Sequence, residues 1–425
     1  MLLSKMTALT LAFCIALGFL LGIISGLTPG LHLNNFAAML LALSPQLMGY
    51  GLSPFHMASI ILAASISQTF FDAIPAIFLG APDSEVALTV LPGQRLMLEG
   101  RGIEAVRLSA LGSSGAVLFA LVLIIPLSWA ASNYYEYLTK YMGILLLGIA
   151  LMMVKSEMGP QIEGQGSLVH YKYKALAGTV FLTSGFLGIF AFQREGLITS
   201  PLGLQAQVLL PLLSGIFGAS SLLYSLSTGT EIPEQKESRI KLKPGPLARA
   251  LFSGSLGGSV VAWIPGVSPS VAAITARLGR PSTPEEFLVS NAGVNTANAL
   301  FSLVALYVID KPRSGAAAAI KELMALDQST LVQMVIIVLL VAAASYLACI
   351  AAARPAGRAV SLINYRLLCL GVLAFLTAMC YAFTGLFGLF IFFLSTVIGL
   401  IAPVAGIHRI HSMGVLMLPL IVRYI

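Results

Sequence analysis

The chain has 425 residues, 58% of them hydrophobic and only 10% charged, with a mean hydropathy of +0.93. Soluble domains carry about 25% charged residues, so the composition excludes an ordinary soluble protein and specifies a multi-pass protein of the cell membrane, solvated by the lipid bilayer. The net charge of +7 does not indicate nucleic acid, because the basic residues sit in short loops between apolar runs, where the cytoplasmic charge bias puts them.

Apolar windows that can cross or half cross a bilayer of about 30 Å are predicted at Thr7–Leu27, Leu31–Met48, Met57–Leu79, Ser109–Ser128, Tyr141–Val154, Ala175–Phe192 and Leu202–Tyr224. The first is read as a retained helix, since no small-residue cleavage site follows it. The fourth is expected to end at Pro126, with Trp129, Tyr134, Tyr135 and Tyr137 as an interfacial belt. A polar linker then divides the chain into a first membrane repeat (1–229), a cytoplasmic linker (230–249) and a second membrane repeat (250–425). The second half reads Leu251–Ile264, Val267–Ala276, Phe287–Ile309, Thr330–Ala352, Leu367–Ala382, Gly385–Pro403 and a last run to Ile425. The basic loops Arg95–Arg107, Lys155–Lys174 and Lys236–Arg249 are expected on the cytoplasmic side. Whether the windows at Leu31 and Val267 cross fully or re-enter stays open. Cys14, Cys349, Cys369 and Cys380 lie in apolar segments without CxxC spacing and read as small hydrophobes.

Two interruptions organise this pattern. Pro29-Gly30 breaks the first apolar run, and Pro265-Gly266 breaks another 236 residues later. Proline removes a backbone donor and clashes with a continuing helix. In lipid such a break survives only where protein or a wet cavity satisfies the freed groups. Ser53-Pro54 and Thr283-Pro284 are both helix-start signals, 230 residues apart. At that offset Ser65 meets Asn295, Gln68 meets Asn298, Phe71 meets Phe301, Pro82 meets Pro312 and Ser84 meets Ser314. The predicted fold is an all-α polytopic membrane protein of two homologous, inverted repeats with broken or re-entrant helices, the architecture in which transporters place their sites.

The breaks supply the candidate solute site. Helix ends freed by a break offer N–H donors and a partial positive charge to an anion. In the first half these are Thr28, Pro29, Gly30, His32, Asn34 and Asn35; in the second, Pro265, Gly266, Ser268 and Ser270. The alternative for the breaks is a kink that serves packing alone. Ser65, Gln68, Asn291, Asn295 and Asn298 recur at helical spacing in otherwise apolar spans, either lining the same cavity or hydrogen-bonding between helices. Asp72 is the acid within the span Met57–Leu79. An intramembrane carboxylate costs about 3 kcal/mol and is a functional candidate by default. With Ser67 and Thr296 it is assigned to the coupling ion, Na+ or H+, against the alternative of a helix-end acid near water. Pro82-Asp83-Ser84-Glu85 reads as a gate or, better, a helix cap. No GxxxxGK[ST] loop occurs, and no cofactor or metal constellation is expected.

The breaks, the Ser65–Gln68 segment, the loop Gly80-Ala81-Pro82-Asp83-Ser84 and the Gly100, Ala105 and Ser109 pattern resemble the large membrane subunit of the tripartite tricarboxylate transporters. The run from Pro265-Gly266 through Pro284-Glu285-Glu286-Phe287 to Asn295-Thr296-Ala297-Asn298 is similar to that family's second repeat. The resemblance covers most of 18–107 and 254–321. It implies an ion-coupled permease for small carboxylate anions such as di- or tricarboxylates, working with a small membrane subunit and an extracytoplasmic binding protein; a homodimer is compatible with it. The chain looks shorter than the usual subunit, like archaeal versions, and Pro92-Gly93 stands where the family often has Asp-Gly.

Two other classes compete. Gly112-Ser113-Ser114-Gly115 fits a short intramembrane serine protease pattern, but His408 and His411 lie in a late loop and nothing marks either as its base. Small residues in membrane helices serve close packing. The alternative within transport is a polyprenyl-phosphate or other lipid-linked anion translocase. A phosphate dianion calls for a basic residue at each break, and Arg277 and Arg280 follow the second only at a distance.

Overall fold

The computed structural model describes residues 2–28, 33–79, 90–157, 167–201, 208–227, 233–237, 240, 242–263, 272, 283–362 and 364–425. Among these the chain is helical, with no strand. Seven segments are long and apolar enough to cross a membrane: Ala8–Leu27, Pro54–Phe78, Gly102–Tyr137, Tyr171–Gln193, Pro284–Ile309, Gln328–Ala359 and Cys369–Ala405. The four cysteines are free and buried.

Two helix pairs organise the fold. In the first half these are α1 (Leu2–Leu27) and, after α2 (Leu33–Gly49), α3 (Pro54–Phe71), which continues through Asp72 into α4 (Ala73–Phe78). The start signals work as read. The His56 N–H donates to Ser53 Oγ at 3.3 Å, and the Ser53 N–H returns a bond to His56 Nδ1 at 3.1 Å. From Met57 to Phe78 the span is buried on every side, which is why it can carry Ser59, Ser65, Ser67, Gln68, Thr69 and Asp72 without showing them to lipid.

The first half continues through α5 (Val90–Leu98), α6 (Gly102–Lys140), α7 (Met142–Lys155), α8 (Ser167–Gln193), α9 (Leu209–Leu213), a π-helical turn at Ser214–Ala219 and α10 (Ser220–Ser227). The second pair of central helices follows: α11 (Pro244–Trp263) and α12 (Pro284–Ile309). Thr283 caps α12, its Oγ1 accepting from the Glu286 N–H at 3.3 Å. Then come α13 (Gly315–Leu323), α14 (Gln328–Leu362), α15 (Tyr365–Ala405) and α16 (Gly414–Tyr424).

Glycines set how closely these helices approach. On α1, Gly18 faces Ile60 and Ala63 of α3, and Gly22 faces Ala64 and Ser67. On α11, Gly254 faces Ser290 and Gly293 of α12, and Gly258 faces Val294 and Ala297. The two contact sets coincide residue for residue at the offsets of 236 and 230 read from the sequence. In each pair the helices run parallel. Missing side chains let backbones touch, the main source of attraction between helices where lipid is as apolar as leucine.

The two pairs run in opposite directions. Phe78, at the end of α4, lies against Gly102 at the start of α6. The neighbouring Arg101 reaches Glu285 in the first turn of α12 at 2.8 Å, while also holding the buried Glu104 at 2.9 Å. So α3 and α4 finish at the end of the molecule where α12 begins. At this same end Gln235 of the linker accepts from the Gly102 N–H at 2.8 Å, and Glu237 binds both Arg107 and Arg354. Two of the basic segments expected on the cytoplasmic side therefore do meet on one side.

Some boundaries differ from those read in the sequence. Helix α6 runs through Pro126 to Lys140 instead of stopping there. Val122 and Ile125 are 73% and 79% exposed toward lipid, and a stop at that depth would bare several backbone groups where proline removes one. Of the belt, Trp129, Tyr134 and Tyr137 are exposed, but Tyr135 is buried beneath Lys311, whose Nζ lies 4.9 Å from its ring centroid. The break expected between Ala382 and Gly385 is present as a kink inside α15, where Gly385 has φ +66°.

The C-terminal turn Arg409–Met413 is clamped to the end of α7. Glu157 is buried there and accepts from the His408 N–H at 3.0 Å, His408 Nδ1 at 2.9 Å and His411 Nε2 at 2.8 Å.

Two outcomes follow from this packing. A Cβ on Gly258 would lie 2.5 Å from Ala297 Cβ and 2.8 Å from Val294 O. Overpacking of this kind costs about 1–3 kcal/mol, so Gly258→Ala is expected to lower the melting temperature in detergent. Gly148→Ala, with nothing within 4 Å, is expected to leave it unchanged. Secondly, the bond to Glu157 holds the His408 pKa above its ordinary 6.5. A raised pKa contributes stability that is complete below about 6.5 and is lost as pH rises through the folded value. The melting-temperature difference between wild type and His408→Gln is therefore expected to shrink from mildly acidic to alkaline pH.

Candidate functional site

Helices α3 and α12 meet through their polar faces. Asp72 sits at the joint between α3 and α4, with its own N–H still bonded to Gln68 O at 3.0 Å. It is 4% exposed, so it is not the water-facing helix-end acid that was the alternative. Asn295 Nδ2 donates to Asp72 Oδ2 at 2.8 Å. Beside it the hydroxyls of Thr69 and Thr296 are 2.9 Å apart. From α1, Ser25 Oγ donates to Gln68 Oε1 at 3.1 Å. On α12, Ser302 Oγ donates to Asn298 Oδ1 at 3.4 Å. Cys349 of α14 lies behind the cluster, its Sγ 3.4 Å from Phe70 O.

The helices that lead toward the two breaks pass this cluster. Gly26, one residue before the end of α1, faces Gln68 and the Asp72 backbone. Helix α11 stops at Trp263, directly before the second break, and Trp263 packs on Val304 and Ala305 of α12. Residue 304 is nine positions beyond Asn295, about 13 Å along a helix axis. With the helix pairs running oppositely, the two broken helices end on opposite sides of the Asp72–Asn295 contact.

The cluster holds unspent hydrogen-bonding capacity. Asn295 Oδ1 is buried and has no partner among the described residues, and neither does the Trp263 indole N–H. Each such group costs about 1–3 kcal/mol until something fills its vacancy. Carboxylate, amide and hydroxyl oxygens together suit a hard cation. Buried N–H donors suit a carboxylate that has shed its water.

The residues picked out in the sequence divide into three groups. Asp72, Gln68, Asn295 and Thr296 join the cluster; Asn298 is bonded within α12 to Ser302, and Ser65 and Asn291 are buried on the same spans. Ser67 and Thr28 are engaged locally. Ser67 Oγ donates to Phe19 O at 3.0 Å, sealing α1 onto α3, and Thr28 Oγ1 donates to Ile24 O at 2.7 Å. Asn34 and Asn35 lie in the first turn of α2, and their side chains are outside the described set. Pro29, Gly30, His32, Pro265, Gly266, Ser268 and Ser270 lie outside the described residues, as does the loop Pro82-Asp83-Ser84-Glu85. Ser25, Thr69 and Trp263 were not singled out. Thr69 pairs across the halves, but its counterpart at the 230 offset is Ala299, so repeat matching gives it no weight. Its position one residue from Gln68 was the usable signal.

Comparison with known proteins now bears on this geometry. A model of the tripartite tricarboxylate transporter TctA family matches residues 12–414, a range that includes both helix pairs and the cluster between them. An uncharacterized protein of Methanocaldococcus jannaschii is 27% identical over 312 residues, covering 72% of this chain and 71% of that one. No solved structure matches. The chain belongs to the tripartite tricarboxylate transporter TctA family, and is a multi-pass membrane component of a transporter, not an enzyme.

Proposed function

We propose that this chain is the permease subunit of a secondary, ion-coupled transporter for carboxylate anions such as di- or tricarboxylates, with Na+ or H+ as the coupling ion. The observation that carries this reading is the bond from Asn295 to Asp72, which joins two oppositely directed helix pairs through a buried carboxylate. The matching glycine contacts and opposed directions of the two pairs support reading the halves, 1–229 and 250–425, as inverted repeats about a cytoplasmic linker. Inverted repeats give a transporter two nearly equivalent arrangements, one open to each side, around a fixed site.

In this mechanism the donors at the two breaks replace the water shed by the anion, and Asp72 takes the cation. An ion next to the Asp72–Asn295 bond neutralises the carboxylate, so the cluster can open only when occupied. No phosphate-binding loop is present in the sequence, so the work comes from an ion gradient, the source assigned in this reading, or from an external motor. Family membership supports two partners, a small membrane subunit and an extracytoplasmic binding protein that delivers the anion.

Proteoliposome uptake of citrate and succinate under imposed Na+ or H+ gradients tests this reading. Asn295→Ala combined with Gln68→Ala is expected to abolish uptake while the protein remains inserted; full uptake by the double variant would reject the site. Asp72→Asn is expected to leave anion binding measurable but to remove its dependence on the gradient. Gradient dependence that survives in Asp72→Asn would clear Asp72 of the coupling role.

A further inference from the structure

The turn Arg409–Met413 is a 3₁₀ helix, so residues three apart share a face. His408 and His411 form one face and both engage Glu157. Arg409 and Ser412 form another, which the mechanism above does not use. Arg409 is 6% exposed and Ser412 1%.

The partners of Arg409 are neutral. Its Nη1 donates to the hydroxyls of Ser220, at 3.3 Å, and Ser221. Those serines spend their own protons on Ile216 O and Phe217 O, one turn back across the π-helical segment, and so meet the guanidinium with lone pairs. The ring of Tyr224 lies 5.9 Å from the guanidinium carbon. No carboxylate is within ion-pair distance of Arg409 among the described residues, and the nearby Glu157 is committed to the two histidines. Burial lowers the Arg409 pKa only to about 10, so the group stays charged at neutral pH.

An uncompensated buried cation costs several kcal/mol. The groups that would meet a counter-charge are left unpaired in a specific pattern. Among the described residues Nε has no partner, nor does the Ser412 hydroxyl, and the hydrogen bonds of the guanidinium come from Nη1. Nε and Nη2 together are the side-on fork that binds two oxygens of one planar or tetrahedral anion. We infer that Arg409, with Ser412 beside it and Ser220 and Ser221 orienting it, forms a second anion site, distinct from the Asp72–Asn295 cluster, that binds an oxyanion such as a carboxylate or a phosphate group. The π-helical turn leads directly into Ser220 and Ser221, and Gly215 within it packs closely on Phe392 O of α15.

The occupant comes either from solution or from a phospholipid headgroup, and the two are separable. Full-length protein purified in detergent is titrated with citrate, succinate, acetate and inorganic phosphate while its melting temperature is followed. At least one anion is expected to stabilise wild type, and Arg409→Lys, which keeps charge but loses the fork, to weaken it about tenfold or more. Ser412→Ala is expected to weaken it by a smaller factor. If the occupant is a lipid, native mass spectrometry of protein extracted from membranes is expected to show a phospholipid adduct that Arg409→Lys loses. Undiminished binding in both Arg409→Lys and Ser412→Ala would overturn the inference. So would wild type that holds neither soluble anion nor phospholipid, or a response lost in Asn295→Ala but kept in Arg409→Lys.

Discussion

A carboxylate buried between helices must find its partner inside the protein, and the Asn295–Asp72 bond is where this molecule supplies one. Lipid offers no hydrogen bonds, so Asp72 can sit within a span only if that span is enclosed. Enclosure explains why Met57–Phe78 is buried while longer, more apolar helices such as α6 and α14 keep exposed, lipid-facing sides. The polar residue is thus both the reason for the central position of α3 and the point at which the second half of the chain is held to it.

Close backbone contact makes that arrangement possible. Gly18 and Gly22 bring α1 onto α3, and Gly254 and Gly258 bring α11 onto α12. Each pair is therefore closely packed, and among the described residues the two pairs meet through the polar contacts of Asp72 with Asn295 and Thr69 with Thr296. A large interface within each unit and a sparse, polar one between them is what motion of one unit against the other requires. The ionic lattice around Arg101 ties the start of α6 to the start of α12 at one end of the molecule.

Much of this was legible in the residues. Ser53-Pro54 and Thr283-Pro284 announce helix starts because a hydroxyl and a proline do chemically defined things in a first turn, and both do them here. The offset of 230 led to Asn295 and Gln68 because the two halves solve one packing problem twice. What escaped reading was pairing across the halves, since helical periodicity records which face a residue occupies and not what lies opposite. Thr69 is such a case. The end of α6 escaped because a proline was given more weight than the cost of baring backbone to lipid. Arg409 and Glu157 escaped because each is a single charge in a short polar stretch, and only the folded chain brings them to one turn.

The central claim is that the contact between α3 and α12 must open and close for solute to pass. Its most direct measurement is cross-linking of Thr69→Cys with Thr296→Cys, in protein whose Cys14, Cys349, Cys369 and Cys380 are replaced by alanine, with carboxylate uptake recorded before oxidation, after it and after reduction. The two side-chain oxygens are 2.9 Å apart, so a disulfide is expected to form under mild oxidation, to arrest uptake, and to release it again on reduction. Uptake at an undiminished rate through the oxidised, cross-linked protein would contradict the claim.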